Sequence, residues 1–236
     1  KGKTMNMRKS ILASCMVMAA TAANAQDLTI EITNLTQGLH FTPLLATAHG
    51  SDNHLFKSGM AASSELQMMA EGGDISGLLG IANGISANSL ENPAAGLLAP
   101  GMMTSGDLST TDGNMYLTIV GMLLPTNDGF VGVDSWPIPS EPGTYNFTMN
   151  AYDAGTEAND EIVNGGGAAG VAGIPAAPGG NAGTGGMGVT SEESNMTVHI
   201  HRGVIGDTDA SGGNSDLDSR IHRWLNPVAK VTVTVK

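Results

Sequence analysis

Two short stretches carry the oxygen-bearing side chains with the clearest chemical potential. One is Pro125-Thr126-Asn127-Asp128-Gly129. The other is Asp153-Ala154-Gly155-Thr156-Glu157-Ala158-Asn159-Asp160-Glu161. Carboxylates gathered in one place repel, and a site that gathers them usually neutralises them with a cation. A donor set of oxygens alone, with no thiolate and no histidine nearby in sequence, selects a hard cation, calcium over zinc. Asp, Asn and Gly also serve turns for backbone reasons alone. The chemistry therefore requires that the two stretches meet in space.

The elements between them decide this. Met115 to Leu124 is a nearly continuous apolar run, the pattern of a central strand buried on both faces. The turn at 125–129 follows, and Phe130 to Val133 forms a returning strand. Pro137, Pro139 and Pro142-Gly143 mark a second loop. Tyr145, Phe147, Met149 and Ala151 then alternate with polar residues, a third strand over 144–152. Up-down-up order puts Asn127 and Asp128 at the same end as the acidic loop 153–161. Asp134 lies six residues after Asp128, roughly 20 Å along an extended chain, and belongs to the opposite end.

A second acidic run, Asp207-Thr208-Asp209-Ala210-Ser211-Gly212-Gly213-Asn214-Ser215-Asp216-Leu217-Asp218, partly follows a twelve-residue calcium loop, with Asp218 at the position of the bidentate Glu. Asn214 stands where an apolar residue packs, and a strand precedes the run, so Asp207, Asp209 and Asp218 form a weaker candidate. His199 and His201 lie two apart on an expected strand, hence on one face. With His222 they could bind a transition metal and support hydrolysis, although no third ligand has a fixed spacing. No G-x-S-x-G elbow, P-loop, H-E-x-x-H or dinucleotide fingerprint is present.

The remaining chain reads as β structure. Leu28 to Thr33 and Val231 to Val235 alternate apolar and polar residues, and Met196 to His201 does the same. Ser64 to Glu71 is helix-forming, with Ser64 and Gln67 at capping-box spacing and Gly72-Gly73 as a stop. A second short helix follows Asp74 and ends near Gly84. Residues 164–190 are rich in glycine and almost uncharged, and are expected to form a flexible surface loop. The expected fold is all-β: an antiparallel β-sandwich with two short inserted helices around 64–83, in one domain over 26–236.

Composition narrows the function. The chain has 236 residues, 22 acidic against 10 basic, a net charge of −12 and one cysteine. Such acidity argues against nucleic acid. Basic residues at the start, the apolar run Ile11 to Ala22 and Ala23-Asn24-Ala25 read as a signal peptide cleaved near Ala25. The product would be secreted or periplasmic. Cys15 leaves with the leader, so no disulfide framework or thiolate site is expected. No later stretch is long and apolar enough for a membrane helix.

Leu124-Pro125-Thr126-Asn127-Asp128-Gly129-Phe130-Val131-Gly132-Val133-Asp134, Tyr152-Asp153-Ala154-Gly155-Thr156-Glu157 and Asn226-Pro227-Val228-Ala229-Lys230-Val231 resemble the spondin N-terminal domain of secreted bacterial proteins. So do Ile32-Thr33-Asn34-Leu35-Thr36, Phe41-Thr42-Pro43-Leu44 and His199-Ile200-His201-Arg202-Gly203-Val204. The resemblance implies a secreted sandwich akin to calcium/lipid-binding-type sandwiches, with calcium in loops at one end. It implies Asp128, Asp153 and Glu157 as ligands, completed by backbone carbonyls and water. In animals such domains belong to matrix and cell-adhesion proteins; here mature cysteines and attached repeat modules are missing. The expectation is a calcium-binding structural, adhesion or interaction module with an unknown extracellular ligand. The alternative is a metal-dependent hydrolase using His199, His201 and His222.

Overall fold

The computed structural model describes residues 25–178 and 183–236. The leader expected over 1–25 lies, apart from Ala25, outside the described residues. Ten strands and two helices follow one another as β1 (Asp27–Asn34), β2 (His40–Phe41), β3 (Leu45–His49), α1 (Ser64–Gly72), α2 (Ser76–Gly84), β4 (Asn88–Glu91), β5 (Met103–Ser109), β6 (Tyr116–Leu124), β7 (Gly129–Pro137), β8 (Gly143–Asp153), β9 (His199–Ile200) and β10 (Ala229–Val235).

All named pairings are antiparallel, in the order β4-β3-β6-β7-β8-β10-β1-β5. β8 is shared between two halves. Its first part, Gly143 to Met149, pairs with β10; its last part, Asn150 to Asp153, pairs with β7. The sheet thus folds over on itself, and β4 comes to rest beside β5, where the Leu90 side chain packs over Gly106. The all-β expectation holds, in the form of a continuous sheet curled nearly to closure.

Alternation explains the inner core. Leu28, Ile30 and Ile32 of β1 and Val231, Val233 and Val235 of β10 point inward against Ala46, Ala48, Leu117, Ile119 and Val131. The other face of β3, β6 and β7 is also covered. Leu45, Val120, Met122 and Phe130 pack beneath Leu66, Met69 and Leu78 of the helices and beneath Ile174, Val198 and Leu217 from loops. Double coverage accounts for the unbroken apolar run of β6. Phe130, Phe56 and Tyr152 form an aromatic trio on this outer face, with centroids 5.1 to 5.5 Å apart.

Several local details depart from expectation. The N-cap of α1 is Ser63, whose side chain accepts from Leu66 N, not Ser64; Gly73 closes the helix in the left-handed conformation. The strand expected over 196–201 shrinks to His199–Ile200. Strands β3, β4 and β5 were not expected at all. Leu45–His49 is buried throughout and shows no alternation to read.

The glycine-rich segment is no loose excursion over its described residues. Glu71 accepts from Gly170 N, Glu157 accepts from Gly173 N, and Ile174 is fully buried. Asp216 accepts from the N–H groups of Val163, Thr184, Gly185 and Gly186. Polar side chains elsewhere in the chain supply the ties that the segment's own composition lacks.

Candidate functional site: a buried carboxylate end

The turn after β6 is built by Thr126, whose hydroxyl accepts from Gly129 N and donates to Leu123 O. This positions Asn127 and Asp128 at the end of the sheet. Gly129 pairs with Asp153, and Ala154 N donates to Asp128 O at 3.2 Å, which joins the two loops directly. The up-down-up placement is therefore met: Asp128 and Asp153 are neighbours. Asp134 lies toward the other end of β7, where it contacts His54 at 2.9 Å.

Burial is the unusual feature. Asn127, Asp128, Asp153, Glu157 and Glu161 are all buried, Asp128 completely. Asp128 Oδ2 accepts from Thr156 N at 2.8 Å, from the Thr156 hydroxyl and from Glu157 N. Asp128 Oδ1 is buried with no partner, and so is Glu157 Oε2. Desolvation first, then the neighbouring Asp153 charge, pushes the Asp128 carboxyl up to about 8. Burial also raises Glu157, against the pull of its hydrogen bonds from Asn127 and Gly173. Two acceptor oxygens shut away from water are costly unless a donor or a cation faces them.

The expected ligands divide by what their atoms already do. Asn127 donates both amide hydrogens, to Glu157 Oε1 at 2.7 Å and to Asp160 Oδ1 at 2.8 Å, and its oxygen accepts from Glu161 N. It clips the acidic loop shut. Asp153 accepts from Gly155 N and from Asn159 Nδ2. Glu161 accepts from Ile205 N, Gly206 N and the Ser215 hydroxyl, so it anchors a further loop. Nothing in its sequence context set Glu161 apart from the rest of the acidic run, and Glu71 and Asp216 were equally unmarked.

Gly155 is required by the bend after Asp153. Its φ is +67°, and a Cβ there would stand 2.6 Å from Asn195 O and 2.7 Å from Thr197 N. That close approach brings the chain before β9 onto the acidic loop.

His199 and His201 do share one surroundings. Their Nε2 atoms lie 3.8 and 3.9 Å from Asp153 Oδ2. Their tautomers differ. His199 Nδ1 faces the Thr197 carbonyl at 2.8 Å and must carry the hydrogen, leaving a lone pair on Nε2. Gly203 N donates to His201 Nδ1, so the hydrogen of His201 sits on Nε2, which is buried and unpartnered. Burial lowers His201 to about 4 and keeps it neutral. A ligating imidazole needs a lone pair where the metal binds, and His201 Nε2 lacks one. His222 lines a different cavity and its Nδ1 accepts from Asp218 N, so the three histidines do not assemble.

The second acidic run closes on itself. Asp207 accepts from the N–H groups of Asp209, Asn214 and Ser215, and Asp209 accepts from Ser211 N. Asp218 is paired with Arg220 at 2.6 Å, which with the Arg220 N–H holds its carboxyl down at about 2. These carboxylates are satisfied by protein donors. Among the described residues no three His, Cys, Asp or Glu side chains already stand together at metal-holding spacing.

A family model for the spondin N-terminal domain, Spondin_N, matches residues 31–161, more than half of the chain. The chain belongs to the spondin N-terminal domain family. The match spans both loops of the buried carboxylate end and stops before His199, His201 and the second acidic run. No curated protein matches the chain. No helix among the described residues is long and apolar enough to cross a membrane.

Proposed function

We propose that this spondin-domain protein is a secreted or periplasmic calcium-binding module. It serves a structural, adhesion or interaction role, with calcium tying the loops 125–129 and 153–161 at one end of the sheet. The observation that carries the reading is the pair of buried, unpartnered oxygens, Asp128 Oδ1 and Glu157 Oε2, beside Asp153. Calcium takes six to eight oxygens in a flexible shell and accepts backbone carbonyls and water among them. Three carboxylates that are close without converging suit it better than a small metal of strict geometry. Asp128, Asp153 and Glu157 would hold the ion, while Asn127 would hold Glu157 and the acidic loop in place.

An ion bound there supplies charge compensation and nothing reactive is required of it. Its effect would be to fix two loops whose ends also position β9 and the glycine-rich segment. The hydrolase alternative needs His222 beside His199 and His201, an arrangement the fold does not provide.

The test is thermal unfolding with excess calcium and with a chelator. A ligand bound only to the native state at a hundred times its dissociation constant adds about 2.7 kcal/mol. For a chain of this size that raises Tm by roughly 5–11 °C. The shift should vanish in Asp128→Asn and shrink in Glu157→Gln. An equal Tm with calcium and with chelator in the wild type would refute the reading.

A further inference from the structure

A cavity of about 530 Å³ opens beside the carboxylate end, with Asp153 and His201 in its lining and Arg202, Arg223, Glu192 and Glu193 among its other walls. That is far more than a single water requires, about 30 Å³ of liquid. Its walls carry two arginines against four carboxylates, Asp153, Glu161, Glu192 and Glu193, and so disfavour an anionic occupant.

The Asp153–His201 corner is selective. His201 presents an Nε2–H donor, buried and without an acceptor. Asp153 Oδ2, 3.9 Å away, is an acceptor, and the lone pair of His199 Nε2 lies 3.8 Å from the same oxygen. Donor and acceptor are too far apart to bond each other. An oxygen placed off the line between them reaches both at about 2.8 Å, within ordinary hydrogen-bond range. A carboxylate would accept from His201 but be repelled by Asp153. An ammonium would satisfy Asp153 but leave His201 without an acceptor. A hydroxyl accepts from one and donates to the other.

We infer that this cavity binds a neutral polyhydroxy compound of sugar size, one hydroxyl of which bridges His201 Nε2–H and Asp153 Oδ2. The remaining hydroxyls meet the arginine and glutamate side chains of the walls. Trp224 packs against the His201 ring, with centroids 4.9 Å apart, and fixes the direction of the donor. The inference does not depend on calcium, because the bridging oxygen needs only the two side chains.

The experiment is a titration of the protein with D-glucose, D-galactose, D-mannose and myo-inositol at millimolar concentrations, in chelator and again in calcium. Acetate and ethylamine serve as controls. Nitrogen-15 NMR of the histidine side chains reads the site directly. The His201 Nε2–H resonance should be present in the unliganded protein and should shift with at least one polyol and with neither control. His201→Phe keeps a ring against Trp224 and removes the donor. It should weaken binding about tenfold or more, the loss of one buried hydrogen bond. Arg223→Ala, an exposed substitution that leaves the corner intact, should weaken binding of the same polyol. The inference is overturned if no polyol shifts the resonance, if acetate or ethylamine does so instead, if binding persists undiminished in His201→Phe, or if binding appears only with calcium.

Discussion

Asp128 gives the sharpest quantitative expectation. Its carboxyl has a folded value of about 8 against 3.8 in the unfolded chain. Between those values the folded state holds a proton that the unfolded state has released, so stability falls as pH rises, by about 1.4 kcal/mol per unit. His201 works in the opposite sense: about 4 when folded, 6.5 when unfolded. Over that range the unfolded state binds the extra proton and stability climbs with pH at a similar rate. The two slopes cancel below pH 6.5. From 6.5 to 8 the Asp128 slope stands without the opposing His201 contribution. The calcium-free protein should therefore lose about 2 kcal/mol across this interval, roughly 4–8 °C of Tm. Differential scanning calorimetry in chelator at several pH values reads the slope. In Asp128→Asn most of it should disappear, and that variant should melt higher than wild type at pH 8 without calcium. With saturating calcium the wild-type slope should flatten or reverse, because the ion holds the carboxylates ionised. A chelated wild-type Tm that is flat or rising from pH 6.5 to 8 would refute the buried-carboxylate argument.

Other substitutions test the frame around the site. Gly155→Ala should destabilise by more than about 2 kcal/mol, since it combines a positive φ with a backbone collision at Asn195 and Thr197, and urea unfolding would show it. Glu161→Gln replaces an acceptor oxygen by an amide that faces backbone donors at Ile205 and Gly206. A loss of about 1–3 kcal/mol is expected in the same assay. Asp216→Ala removes the acceptor for four backbone N–H groups, so limited proteolysis within 164–190 should accelerate well before global unfolding.

Much of the frame is legible along the chain because burial there follows simple periods. β1 and β10 alternate, β6 is apolar throughout, and strand direction alone brings Asp128 to Asp153. β3 escapes because Leu45-Ala46-Thr47-Ala48-His49 is buried on both faces yet contains small and polar residues. β5 escapes because apolar Met103 is exposed, polar Thr104 is buried and Gly106 interrupts the strand. The division of labour among the acidic residues could not be read, since it depends on which backbone N–H each carboxylate meets. Asn127 looks like a candidate ligand until its hydrogen bonds are known. The pairing of His199 with His201 was visible from their spacing. That one carries its hydrogen on Nδ1 and the other on Nε2 depends on Thr197 O and Gly203 N, which spacing does not reveal.

The antiparallel pairing of β1 with β10 has a mechanical consequence. Leu28 sits opposite Val235, and Lys236 N donates to Asp27 O, so the start of β1 and the end of β10 lie side by side. Val235 also faces Gly143, the start of β8, whereas Asp153 is its last residue. At about 3.3 Å per residue the carboxylates stand roughly 30 Å along the strand from that end. Any segment joined before Asp27 or after Lys236 acts as a tether at the base and leaves the far end facing outward. Tension applied through both ends would unzip β1 from β10 from the Leu28–Val235 pair onward, loading their hydrogen bonds one after another, while the loops that gather Asp128 and Asp153 stay outside the initial force path.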